Sequence, residues 1–174
     1  MADYQSIKFP APRKRMGGTA QKILLADFDK ITTLQEPAAN SYNITTPHVF
    51  GNGEGFIELY VIQDTGELKF EKMGGKDRVS FKATGKFHHP GEADEIDNFA
   101  NNCGNTRWVA LVPLPGTTDL YQIGDKEFQM SIFPSYDTGK NSGDGRTSMF
   151  DFECFCANKI KYKASTIPMK GVTP

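Results

Sequence analysis

Few residues of this chain could do covalent or metal chemistry, and their spacing argues against most of it. His88 and His89 stand together before Pro90, and His48 is forty residues away. A zinc site needs three or four ligands at organised spacing, and no H-x-x-x-H pair exists, so the histidines read as exposed loop residues and no metal is expected. Cys154 and Cys156 flank one residue of a β-patterned run. That places both thiols on one face, too close along the strand to bridge without distorting it. Cys103 falls on an apolar helical stripe with no basic neighbour to activate it. All three cysteines read as small core hydrophobes.

The remaining chemical motifs are weaker still. GNGEG (Gly51 to Gly55) has the wrong spacing for a dinucleotide fingerprint and precedes a strand rather than a helix. GKNSGDGRTS (Gly139 to Ser148) shares only its composition with a phosphate loop. The acids of GEADEIDNF suit the positive end of a helix dipole better than a hydrolytic pair. Asn43-Ile44-Thr45 spells a glycosylation sequon, which has meaning only on a secreted chain. No catalytic residue and no cofactor are expected.

The elements that would position these residues are mostly strands. The chain has 174 residues, enough for one domain with a sizeable core, and a net charge of −1 that marks neither nucleic acid nor membrane as a partner. No apolar run approaches the roughly 18 residues that span a bilayer, and the N-terminal stretch lacks the apolar centre of a secretory signal. Synthesis in a reducing cytoplasm is the expectation. Thirteen Phe, one Trp and seventeen Gly favour short strands and turns over a helical bundle.

Residues 1–18, with Pro10, Pro12 and the run Arg13-Lys14-Arg15, read as an extended arm. Residues 19–165 form the β domain and 166–174 a C-terminal tail. QKILLADFDKITTL is ambiguous, and residues 36–55, rich in Pro and Gly, read as a long irregular excursion. FIELYVIQ and ELKFEKM flank Asp64-Thr65-Gly66 and predict a β-hairpin. RVSFKATGKF predicts a strand with Val79, Phe81 and Ala83 on one face. RWVALVPL and TDLYQIG, joined at Pro115-Gly116, predict a second hairpin. In RTSMFDFECFC, period-2 alternation turns Phe150, Phe152, Cys154 and Cys156 toward the core. The one clear helix spans about 91–103, with Ala93, Ile96, Phe99 or Ala100, and Cys103 on its apolar stripe and Gly104 as its stop. The fold class is therefore mainly β: a two-sheet sandwich or barrel with one flanking helix, some seven or eight strands and long loops.

The order of these features carries a resemblance. An arm leads into ILLADFDKI, then a long Pro/Gly loop, a hairpin, a strand and one acidic helix. WVALVPLPGTTDLYQIGDKEF follows, and SYDTGKNSGDGRTSMFDFECF closes the pattern. Over about residues 17–165 the chain resembles the tail tube (major tail) proteins of tailed bacteriophages, a fold shared with the inner tubes of contractile injection systems. The long basic arm and the Lys-rich C-terminus depart from that pattern.

The resemblance implies a structural virion protein whose copies close into rings, usually of six, by joining their sheets around a β-lined channel. The rings stack into a tail tube, the conduit for genome delivery. Its partners would be itself, the tape-measure protein and viral DNA in the lumen, and a sheath or tail terminator, with no membrane. Its place would be the virion tail after synthesis in the host cytoplasm. The arm (Arg13, Lys14, Arg15) and the long loop (Pro47, Gly51, Gly53, Gly55) would be candidate assembly contacts, free to reach a neighbour.

Other tail parts, such as a terminator or hub ring, share that fold class. A different alternative rests on KIKYKASTIPMK. It is a monomeric β-barrel module for a ligand or single-stranded nucleic acid, with Lys159, Lys161, Tyr162 and Lys163 as a basic platform. The simpler reading of that segment is a solvated terminal strand whose lysines protect a sheet edge.

Overall fold

The computed structural model describes residues 17–143 and 145–171. Arg13, Lys14 and Arg15, with nearly all of the arm, lie outside them.

Among the described residues are twelve strands and one α-helix: β1 (Lys22–Asp27), β2 (Ile31–Thr33), β3 (Asn43–Ile44), β4 (Val49–Phe50), β5 (Ile57–Tyr60), β6 (Glu67–Met73), β7 (Ser80–Pro90), α1 (Asp94–Cys103), β8 (Trp108–Pro113), β9 (Leu120–Ile123), β10 (Ser131–Asp137), β11 (Thr147–Cys156) and β12 (Ile160–Tyr162). Six of the strands form one sheet in the order β3-β12-β9-β8-β1-β5, and four form another in the order β10-β11-β7-β6. The β2–β4 pair stands apart. No sheet closes on itself, so the architecture is a sandwich and not a barrel. The ambiguous segment 21–34 resolves into β1, a single 3-10 turn at Phe28–Lys30 and β2.

Alternation places the core. On β11, Phe150, Phe152, Cys154 and Cys156 are buried while Asp151 and Phe155 are exposed, as the period-2 pattern requires. On β7 Ala83 is buried as expected and Phe81 packs half-buried against the core, with Phe87 also buried, but Val79 precedes the strand and is exposed. These side chains meet Ile23, Leu25, Ala110, Val112 and Ile123 of the six-stranded sheet in the main core. Helix α1 completes that core. Ile96 and Cys103 are buried in it, Phe99 lies edge-on to Phe150, and the Trp108 indole N–H donates to the Cys103 carbonyl at 2.9 Å. That bond satisfies one of the carbonyls a helix end leaves free. Gly104 ends the helix as expected, at φ −67°, an ordinary right-handed value.

β8 is buried along Trp108–Val112 without alternation, because the six-stranded sheet is covered on both faces. Its second face carries a smaller core of Leu24, Ala26, Leu111 and Tyr162. Ile44 of β3 and Phe56 join this core, and Phe50, Ile167 and Met169 pack over it, the last two from the C-terminal segment. The excursion is thus less irregular than its composition suggests. It contributes β3, which pairs in parallel with β12, and β4, which pairs with β2.

One expected hairpin forms and the other does not. β8 and β9 pair antiparallel across Pro113↔Leu120. β5 and β6, by contrast, belong to different sheets: β5 pairs with β1, and β6 pairs with β7. The turn itself is present, with Asp64 at φ 64° and the Thr65 N–H on the Ile62 carbonyl at 3.2 Å. It makes a corner between sheets, because Ile62 N–H already bonds the His88 carbonyl of the other sheet at 2.8 Å. Local turn chemistry reverses a chain; long-range pairing decides which sheet receives it.

Candidate assembly surface

The excursion is clamped at its far end by the C-terminal segment. Phe56 N–H donates to the Pro168 carbonyl at 2.9 Å, and Lys170 N–H returns to the Phe56 carbonyl at 3.0 Å. Gly55 lies beneath this clamp and is buried; a Cβ there would sit 2.5 Å from the Met169 carbonyl carbon. Gly51 and Gly53 form the exposed tip. Glu54 N–H closes a turn on the Gly51 carbonyl at 3.0 Å, Gly53 takes φ +75°, and Gly171 N–H reaches the Gly53 carbonyl at 3.2 Å. Pro47 is half-buried at the other rim. Pro47, Gly51 and Gly53, with Phe50, Ile167 and Met169, line a groove of about 590 Å³. Of the long-loop residues expected to reach a neighbour, Gly51 and Gly53 project at the tip, whereas Pro47 is half-buried and Gly55 is buried.

His48 overturns the expectation of exposed loop histidines. It is 3 % exposed, and its ring lies 5.1 Å from that of Tyr162. His88 and His89 lie on β7 rather than in a loop, and His89 Nδ1 bonds the Tyr60 carbonyl at 3.0 Å. The three cysteines are buried and unbridged. The hydrogen bond to Cys156, followed by burial, pushes the Cys154 thiol far up, away from the thiolate that nucleophilic chemistry requires. Among the described residues no group of three or more His, Cys, Asp or Glu is placed to hold a metal ion.

The Lys-rich strand also differs from expectation. β12 is not a sheet edge, since it lies between β9 and β3. Tyr162 is wholly buried, its hydroxyl donating to the Thr166 carbonyl at 3.0 Å, so it offers no ring face for a base to stack on. Lys161 and Lys163 both face Asp119, at 2.8 and 3.6 Å. The hydrogen bond from Lys161 draws the Asp119 carboxyl below its usual range.

The surface least legible from the sequence is the outer face of the four-stranded sheet. Alternation puts Lys82, Thr84 and Lys86 of β7 there, beside Asp151, Glu153 and Phe155 of β11, Glu67, Lys69 and Glu71 of β6 and Phe133 of β10. These side chains are exposed or half-buried. Their charges interleave across strands, with Lys82 on Glu153 at 2.7 Å and Lys86 on Glu67 at 3.5 Å. Such exposed pairs add little stability, but they leave the face polar and close to neutral.

Family profiles, curated proteins and solved structures yield no match to this chain.

One contact that spacing alone did not reveal ties the helix entrance to the β10–β11 hairpin. The Glu92 carboxylate receives hydrogen bonds from both Arg146 and the Tyr136 hydroxyl. The three residues are solvent-exposed. Glu92→Ala is therefore expected to keep the fold and lower Tm by only a few degrees in a thermal melt, as the loss of exposed pairs worth about 1 kcal/mol or less allows.

Proposed function

We propose that this chain is a self-assembling structural protein whose copies join their four-stranded sheets around a channel, as the tail tube proteins it resembles do. The observation that carries the reading is the contrast between the two sheets. The six-stranded sheet has a core on each face, and most of its strands are committed within the subunit. The four-stranded sheet has a core on one face only and a mixed-charge surface on the other, and it ends in the strands β10 and β6.

A sheet edge carries unpaired N–H and C=O groups and invites pairing with another chain. β6 suits such a role, because its inward residues Leu68 and Phe70 are only partly buried and a neighbouring strand would cover them. Copies joined head to tail through such an edge close by rotation and leave two faces for stacking. A lumen lined by interleaved Lys, Glu and Asp lacks the dense positive charge that would hold a polyanion by counterion release. On this reading the exposed loop tip at Gly51 and Gly53 lies free for contact between rings. The basic-platform alternative draws no support from the buried Tyr162 or from lysines turned onto Asp119.

Negative-stain electron microscopy of the purified protein over a range of concentrations, with mass from light scattering, tests the proposal. Rings or tubes with a central channel are expected. A monodisperse 19.3 kDa monomer at the highest concentration would sink it.

A further inference from the structure

His48 is the one buried histidine among the described residues, and its two nitrogens have different partners. Gln35 N–H points at Nδ1 from 3.0 Å. A backbone N–H can only donate, so Nδ1 must be the bare nitrogen and the proton sits on Nε2. Nε2–H then donates to Gln122 Oε1 at 2.8 Å, and Gln122 Nε2 donates to the Gly124 carbonyl at 3.1 Å. This chain of bonds fixes the neutral tautomer. It also ties Gln35 and His48, thirteen residues apart, to each other and to β9.

We propose that His48 is an acid-sensitive latch: a proton gained at Nδ1 opposes the Gln35 N–H, places a charge in the second core and releases residues 35–50 from the six-stranded sheet.

The surroundings offer the cation no compensation. From β12 the ring meets Tyr162, whose own ionisation burial pushes up; from the strand start it meets Phe56, and from β9 the neutral Gln122. The nearby carboxylates are engaged elsewhere, Glu36 with Lys126 and Glu54 with Lys170, while Lys161 and Lys163 are held on Asp119. Burial accordingly holds the imidazole below the ordinary histidine range, an effect only partly offset by the Gln122 bond. A group depressed in the docked state binds its proton more tightly once released. The docked form is then at full strength above about pH 6.5, the free imidazole's value, and is lost as pH falls from there toward His48's own pKa. Between those limits the docking equilibrium weakens by up to tenfold per pH unit. The latch is independent of how copies assemble.

Two mass-spectrometric exchange measurements on the full chain, across pH 7.5 to 4.5, test it. Exchange at the imidazole carbon gives the titration of His48, with free N-acetylhistidine under the same conditions as the reference. Amide exchange, corrected for its intrinsic pH dependence, gives the protection of residues 35–50 against that of β11. The expected result is a His48 midpoint below that of free N-acetylhistidine. Protection of 35–50 should fall up to tenfold per pH unit over the window, with β11 unaffected, and the profile should be flat in His48→Gln. The proposal is overturned if His48 titrates with free N-acetylhistidine, if protection ignores its protonation, or if His48→Gln keeps the wild-type profile. Should that variant fail to fold, the wild-type comparison of His48 titration with 35–50 protection decides alone.

Discussion

Phe152→Asp leaves no folded subunit, whereas Phe155→Asp, three residues along the same strand, is tolerated. Phe152 is 3 % exposed, and its ring lies 6.2 Å from that of Phe87. It also rests on Gly85 of β7, where an added Cβ would sit 2.4 Å from the ring. Removing such a ring costs about 3–5 kcal/mol from lost burial and the cavity left behind. A carboxylate without a partner in that cavity adds several kcal/mol more. Together these approach or exceed the roughly 5–15 kcal/mol that holds an ordinary domain folded. Phe155 lies on the opposite face at 46 % exposure, where substitution costs on the order of 0.5 kcal/mol. Circular dichroism and thermal melts of both variants, with Phe152→Ala as the milder case, make the comparison. A cooperative melt for Phe152→Asp within a few degrees of wild type would mean that the strand's inward face is wrongly assigned.

Gly55→Ala and Gly55→Val both detach the C-terminal segment, and by similar amounts. The clash begins at the Cβ that the two substitutions share, which would meet the Met169 carbonyl carbon at 2.5 Å, the Lys170 nitrogen at 2.6 Å and the Pro168 oxygen at 2.7 Å. All three are backbone atoms, so no side-chain rotation relieves the contact. Displacing the segment breaks the two bonds to Phe56 and uncovers Ile167 and Met169. Overpacking costs about 1–3 kcal/mol and each lost hydrogen bond about 0.5–1.5 kcal/mol. The expected total is roughly 2–6 kcal/mol, a fall in Tm of about 4–24 °C for a chain of this size. Mild proteolysis should then cleave after residue 163 while β11 stays protected. Wild-type stability in Gly55→Ala would show that the clamp has room to spare.

The strands and the helix were legible because their signals are local. Phe150, Phe152, Cys154 and Cys156 alternate with Asp151 and Phe155, and a period of two has one meaning once a single face is buried. Helix α1 declared itself in the same way through Ile96, Phe99 and Cys103, three and four residues apart. The β8–β9 reversal was equally plain from Pro115-Gly116 between two apolar runs. So was the placement of Cys154 and Cys156, since spacing alone puts both on one strand face.

What the local signals left open were the decisions made by pairing between distant segments. Asp64-Thr65-Gly66 specified a turn but not that β5 would leave for β1 while β6 joined β7. The unbroken apolar run of β8 marked a buried strand, yet nothing nearby showed that residues 44–56 and 167–169 would form its second cover. For the same reason His48 read as an exposed residue of a polar loop. Its burial comes from Gln35, Gln122 and Tyr162, up to 114 positions away in the chain. Composition and period-2 alternation by themselves determined a mainly β domain with one helix, because side-chain direction in a strand or helix is set by neighbouring residues. Only the tertiary structure decided which sheet keeps an open polar face and which histidine is locked neutral, because both depend on backbone groups and side chains that meet solely through the fold.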